Sequence, residues 1–364
     1  MIKFLLFIVF LCFSSIGFSQ ETNNKGTISG YMFGDLFYNA VRDSQIDSLP
    51  CVVNGGQKDI NGIQIRRIYF TYDFDISENF ISRFRLEADQ NSINPDGRIG
   101  VFVKDAYLTW RNIFNGSDLT FGIQPTPAFE VSENIWGNRF LEKTIIDLRR
   151  IVTSRDLALS LKGKLDKDGL FKYWLMIGDG TGNKPETDKY KRYYAHFQYN
   201  PLKNFTMTFY FDFKSNPDID NPNSIQNPKA TLSNNDLTYS FFAGYKEDNK
   251  FTIGAEAFTS IKQNGNINGQ TIKDKNAFGI SIFGSYNLSK KLSAVGRYDF
   301  FDPNMDSDYK GDNRNLFLFS LNYSPVDKVT ISPNIFIETY ESLPGGKKYK
   351  PSVTPRLTLY YIFL

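Results

Sequence analysis

From Ile68 to Ile76 every second residue is large and apolar (Ile68, Phe70, Tyr72, Phe74, Ile76), while Tyr69, Thr71, Asp73 and Asp75 fill the positions between. A repeat of two is the period of a strand whose faces meet different surroundings, because successive side chains of a strand point to opposite sides. After a short polar turn the alternation resumes, with Phe80, Phe84, Leu86 and Ala88 on one face and Arg83, Arg85, Glu87 and Asp89 on the other. A hairpin with one face so aromatic and the other so charged suits a sheet that has lipid on one side and water on the other.

The rest of the chain repeats this unit. Strand candidates fall near 27–38, 63–75, 80–90, 99–111, 118–125, 155–165, 170–178, 191–199, 204–214, 237–246, 251–262, 277–287, 292–301, 315–323, 329–340 and 352–363, about sixteen in all. Although 22% of the chain is charged, Lys104 is the one charged residue in the less charged rows of these strands. A lysine or arginine facing mid-bilayer costs about 2–4 kcal/mol, so rows this free of charge are what a lipid face requires. Lys104 reads as a β-bulge: Val101 and Val103 point outward before it, and Ala106, Leu108 and Trp110 after it.

Connections alternate in length. Short ones lie around 76–79, 112–117, 166–169, 200–203, 247–250, 288–291 and 324–328; longer ones such as 39–62, 126–154, 178–190 and 215–236 are rich in Asn, Asp, Gly and Pro. Aromatic residues gather beside the short turns, among them Phe74, Phe80, Trp110, Phe171, Tyr199, Phe205, Tyr245, Phe251, Tyr286 and Tyr323, where an interfacial girdle belongs. The chain ends on an apolar row, Leu357, Leu359, Tyr361 and Phe363. The expected fold is therefore all-β, a transmembrane antiparallel β-barrel of about 16 strands with both termini on the short-turn, periplasmic side. A soluble β-sandwich or propeller would alternate too, but with polar outward rows.

Residues 1–19 read as a secretory signal peptide: Lys3, an apolar run from Phe4 to Phe13, then small residues to Ser19, with cleavage near Ser19, Gln20 or Glu21. Residues 20–364 form the barrel. Loss of Lys3 takes the formal net charge from +3 to +2, a balance that gives no reason to expect a nucleic-acid partner. Cys12 leaves with the signal, so Cys51 has no intramolecular disulfide partner. The single histidine, His196, is placed inward by parity between outward Ala195 and Phe197. One imidazole builds neither a metal cluster nor a lipid-facing hydrolase, and no glycine-rich phosphate cradle is present, so we expect neither enzymatic activity nor a cofactor.

Five segments, RRIYFTYDF, VKDAYLTW, FGIQPTPAFEVSE, SRDLALSLKGKL and VGRYDFFDPN, together resemble the phosphate-selective porin O and P family of outer-membrane channels. The resemblance runs from about Gly30 to Phe363. It implies a sixteen-stranded homotrimer in the Gram-negative outer membrane, in contact with lipid, whose third long loop folds inward to narrow the pore. It further implies passive diffusion of small hydrophilic solutes or ions, inorganic anions such as phosphate among them. The chain departs from the family pattern where Pro125, rather than lysine, precedes Thr126 and Pro127.

That third loop spans 126–154 and balances Glu130, Glu133, Glu142 and Asp147 against Arg139, Lys143, Arg149 and Arg150. Folded into the lumen, opposed acidic and basic rows would set a transverse field, and rings of charge decide which ions pass. On the wall, Arg67, Arg83 and Arg85 make a candidate basic strip that would draw anions through forked guanidinium donors. Salt bridges from Arg83 or Arg85 to Asp73, stiffening the wall, are the competing reading of the same residues. The pore and solute-binding candidates are thus Arg67, Arg83, Arg85, Arg139, Lys143, Arg149, Arg150, Glu130 and Glu133. The alternative to a pore is a surface-binding or structural barrel with no open passage.

Overall fold

The computed structural model describes residues 25–45, 56–221, 230–269 and 271–364. The signal segment and Cys51 lie outside the described residues. The strands are β1 (Gly26–Tyr38), β2 (Asn61–Asp75), β3 (Phe80–Ile93), β4 (Ile99–Phe114), β5 (Ser117–Pro125), β6 (Arg155–Lys164), β7 (Phe171–Gly178), β8 (Arg192–Leu202), β9 (Phe205–Lys214), β10 (Ile219–Asp220), β11 (Thr231–Leu232), β12 (Asp236–Glu247), β13 (Phe251–Asn268), β14 (Thr271–Asn287), β15 (Leu292–Asp302), β16 (Arg314–Val326), β17 (Val329–Tyr340) and β18 (Ser352–Ile362). All but β10 and β11 join one closed antiparallel barrel in chain order, and β1 pairs with β18 from Tyr31 opposite Ile362 to Phe37 opposite Arg356. The small ribbon β10–β11 stands apart in the β9–β12 connection. Closure pairs every strand on both edges, which is what a sheet in lipid needs.

The outward rows are the apolar ones. Phe121 and Leu159 face each other across β5 and β6 and are 63% and 44% exposed, while the neighbouring Ser160 is buried on the inside. Beside the short turns the girdle is built from cross-strand pairs: Phe80 lies 5.4 Å from Trp110 and Phe171 4.7 Å from Tyr199, ring centre to ring centre. Such contacts add about 0.5–1.5 kcal/mol each beyond the area they cover. By architecture the chain is an outer-membrane β-barrel.

Two bulges change where charges point. Arg85 opposes Asp105 and Leu86 opposes Val103, so Lys104 is the extra residue on β4. The bulge expected at Lys104 is present and turns its side chain inward; its Nζ lies 3.0 Å from Glu87 and 3.2 Å from Ser154 Oγ. The second bulge is on β2, where Phe33 of β1 opposes Arg67 and Gly34 opposes Ile65. Arg66 shares the parity of lipid-facing Ile68, yet the bulge swings it into the interior, where it is 9% exposed. Gly34 permits this approach, because a Cβ there would sit 2.4 Å from the Gln64 carbonyl oxygen.

Two further features differ from the sequence reading. The β13–β14 hairpin continues well past 262 and begins before 277, through Asn264, Asn266, Lys273 and Asp274. These residues carry no lipid signature because both faces of that extension are wet. The inner face is also not polar throughout: β12 to β17 turn Phe242, Phe258, Phe283, Val295, Leu316, Leu318 and Phe336 inward, all nearly fully buried. The rings of Phe283 and Phe258 reach Gly254 and Gly279 of adjacent strands, where any Cβ would meet them at 2.5 and 2.3 Å.

Side chosen, not residue type, should set the cost of a charge in this barrel. Phe121→Lys, outward at mid-strand, is expected to lower unfolding stability in vesicles by about 2–4 kcal/mol. Ile81→Lys, inward on β3, should cost far less; urea titration of both variants checks the difference.

Candidate functional site

Between Pro125 and Arg155 the chain leaves the wall and crosses the interior. Its neck is closed by Thr126, whose Oγ1 donates to the Thr153 carbonyl at 2.6 Å and whose N–H donates to Ser154 at 3.3 Å. Two short helices follow, α1 (Glu130–Trp136) and α2 (Ile145–Leu148). Glu130 and Glu133 occupy the first turn of α1, where the helix dipole favours negative charge, and Gly137 ends it at φ 65°.

The loop stays inside because the β12–β17 wall needs a cover. Trp136 and Leu141 pack with Phe242, Phe283, Leu316, Leu318 and Phe336, and Ile145 and Ile146 pack with Phe258, Ala277 and Phe301. Fully burying a side chain of this size stabilises by about 1.5–3 kcal/mol. Polar contacts from around the barrel fix the loop's position. Ser132 Oγ donates to Glu256 of β13 at 3.0 Å, Asn322 of β16 donates to Asn138 at 2.9 Å, and Arg297 of β15 donates to the Lys143 carbonyl. Arg66 of β2 donates to the Phe140 and Leu141 carbonyls at 3.0 and 2.7 Å, and Arg356 of β18 also reaches Leu141 at 3.0 Å. Arg149 meets Glu338 of β17 at 2.8 Å with both side chains essentially unexposed.

The loop's own charges do not stand as two opposed rows; most are spent in pairs. Arg139 lies 3.4 Å from Glu133 and 3.7 Å from Asp147, and Lys143 lies 3.1 Å from Asp147. Glu142 sits 3.3 Å from Arg66 and 4.0 Å from Arg356. Burial pushes the Glu142 carboxyl up, but those two guanidiniums outweigh it and hold the group down at about 2. Burial also raises Glu133, and there the opposing Arg139 does not win.

On the wall, all three arginines of the candidate strip point inward and all are engaged. Arg67 meets Glu87 at 2.7 Å and also Asp89; Arg83 holds Asp73 through two bonds at 2.6 and 3.0 Å; Arg85 donates to Thr71 at 2.7 Å and lies 3.5 Å from Asp105. A transverse arrangement does exist, between loop and wall. Around a chamber of about 600 Å³ on the short-turn side, Glu130 and Glu133 of α1 share the lining with Arg83, Arg85, Arg155 and Lys162 of the wall, together with Asp118. Tyr31, Tyr107 and Trp174 complete it, with Lys162 Nζ 4.2 Å above the Trp174 ring and 2.9 Å from Glu130.

The structure thus brings Arg83, Arg85, Glu130 and Glu133 to one chamber, leaves Arg67, Arg139, Lys143 and Arg149 in structural pairs, and turns Arg150, near the loop's end, toward a second chamber. Residues that the sequence reading passed over include Arg66, hidden by its bulge, and Arg155, which opens β6 immediately after the loop and contacts Asp105.

No protein-family model and no curated protein sequence matches the chain. Solved structures do resemble it in fold. The outer-membrane channel DcaP of Acinetobacter baumannii superposes with a TM-score of 0.66 at 13% identity over 95% of this chain and 99% of that one. An anion-selective porin from Comamonas acidovorans gives 0.64 at 9% identity over 94% and 100%. The trimer form of OmpT, an outer-membrane protein of Vibrio cholerae, gives 0.58 at 10% identity over 94% and 100%. The fold is that of outer-membrane porins.

Removing one partner of a buried ion pair leaves the other uncompensated, typically at about 3–5 kcal/mol. Arg149→Met should therefore cost stability in that range and, by loosening the loop, expose residues 126–154 to protease in the folded barrel. A protease pattern unchanged from the parent would mean that the apolar side of the loop holds it without the clamp.

Proposed function

We propose that the protein is a porin, through which small hydrophilic solutes and ions diffuse passively down their gradients. The observation that carries this reading is the one-sided seating of the third loop. It covers the apolar β12–β17 wall, meets Ala158, Trp174 and Met176 of β6 and β7 through Ala128 and Phe129, and leaves against β3 to β6 a charged chamber of about 600 Å³, room for hydrated ions and small solutes. On this reading the loop is the constriction, and it selects by size first.

Charge adds a modest preference. Four basic side chains against three carboxylates line the chamber; Lys162 pairs with Glu130 across it, while Arg83, Arg85, Arg155 and Glu133 are answered by Asp73, Asp105 and Arg139 outside the lining, so the bias is toward anions without being strong. The anion-selective Comamonas porin, of the same fold, supports that sign. Phosphate is the anion that the resemblance to the O and P family suggests, with Arg85 and Arg155 as its guanidinium partners on the wall. Residues 1–19 direct export, both termini face the periplasm, and three copies assemble, as in the trimer form of the Vibrio OmpT. The passage does no chemistry and needs no cofactor.

Liposome swelling tests the reading directly. Vesicles carrying the refolded protein should swell in isotonic solutes at rates that fall steeply with solute size, and the Arg149→Met variant should admit larger solutes than the parent. Folded, heat-modifiable barrels that give no swelling with any solute would overturn it.

A further inference from the structure

On the long-loop side of the third loop lies a second chamber, of about 350 Å³, with a different chemistry. Its charged lining comes mainly from a single row across the sheet. Arg192 of β8 stands opposite Lys214 of β9, Lys214 opposite Asp236 of β12, Asp236 opposite Lys262 of β13, and Lys262 opposite Lys275 of β14. Of this row, Arg192, Asp236, Lys262 and Lys275 line the chamber, three cations against one carboxylate.

Like charges directly opposite on antiparallel strands repel, and the rest of the lumen avoids the problem by pairing, as Arg297 does with Asp299 at 2.6 Å. Within the row only part of the charge is answered. Arg192 is held by Asp212 at 2.6 Å, and the Asp236 carboxylate accepts from Asn216 at 3.0 Å. Lys262 and Lys275, cross-strand neighbours, have no carboxylate within 4.0 Å among the described residues.

Arg150 adds a further cation from the loop. It stands at φ 57°, just past α2, where the Ile151 N–H returns to the Ile146 carbonyl at 3.0 Å. This is the left-handed position that glycine ordinarily fills, so a long cationic side chain is kept there against the backbone's preference. Arg314 of β16 is another cation in the lining, Thr238 and Ser260 add hydroxyls, and the apolar part comes from Ile151, Ala277, Phe301 and Pro303.

We infer that this chamber is a capture site for organic carboxylates with an apolar body, such as aromatic acids. The carboxylate takes the charge of Lys262, Lys275 and Arg150 while the ring lies against Ile151 and Phe301. Inorganic phosphate answers the cations but gains nothing from the apolar side, and acetate gains little. The inference rests on the reading of the barrel as a pore, and it names the solutes that enter from the long-loop side.

Chloride current through the refolded protein in a planar bilayer reads the site by block, with benzoate, acetate and inorganic phosphate as probes. Benzoate should half-block at a concentration about tenfold below acetate, the gain expected from covering most of one ring face, and below phosphate as well. Lys262→Gln with Lys275→Gln should weaken benzoate and acetate together, whereas Ile151→Ser should weaken benzoate and leave acetate in place. Phosphate blocking as well as benzoate, or block unchanged in the double-lysine variant, would overturn the assignment. Calorimetric titration of benzoate into the detergent-solubilised protein separates the two readings. Binding that the double-lysine variant loses, with no current in the bilayer, would overturn the pore and keep the site; current without binding would keep the pore and overturn the site.

Discussion

Apolar side chains on the inside of a water-filled barrel must be covered, and this barrel turns a band of them inward along β12 to β17. Phe242, Phe283, Leu316, Leu318 and Phe336 would otherwise face water over one side of the lumen. The third loop supplies the cover, with Trp136, Leu141, Ile145 and Ile146 as its buried residues. The position of any passage follows from this. The apolar seat is on one side of the loop, and the charged chamber lies on the other, against the polar wall of β3 to β6, where Lys162 also reaches Glu130 of the loop.

That polar wall is balanced rather than basic. Arg67, Arg83, Arg85, Lys104 and Arg155 are matched by Asp73, Glu87, Asp89 and Asp105 within hydrogen-bonding or ion-pair distance. Pairing of this kind stiffens the wall and holds its side chains in place, but it leaves little net field to sort ions. Lysines without an ion pair within 4.0 Å among the described residues are found instead on the long-loop side, where Lys262 and Lys275 face each other across β13 and β14. The lumen therefore holds two chambers of different chemistry, a basic and partly apolar one on the long-loop side and a balanced, aromatic-lined one on the short-turn side.

Much of the fold was legible in the sequence because a lipid face tolerates so little charge. Alternation alone located the sixteen barrel strands and their short turns. It failed wherever the period slipped or the pattern had no lipid to record. Arg66 is a bulge residue, and a one-residue insertion reverses the face that parity assigns; the bulge at Lys104, by contrast, was legible from the outward valines before it and the shifted alternation after it. Lys275 lies in a hairpin extension that is wet on both sides. The apolar inner band did leave a trace: Phe241 and Phe242 are consecutive, one 45% exposed to the outside and the other buried within, so both faces of β12 are apolar, as in a strand covered on both sides. The charged residues of the loop were legible as interior candidates, but their partners were not, because Arg66, Glu338 and Arg356 come from strands distant in sequence.

A porin requires the space between the third loop and the polar wall to be an open conduit. Single-channel recording of the purified, refolded protein in a planar bilayer, with a salt gradient to fix the reversal potential, tests it most directly. Stable ohmic steps, with a reversal potential displaced modestly toward the anion side, are the predicted result. A folded barrel that inserts and carries no current would contradict it, because the loop would then close the lumen rather than narrow it.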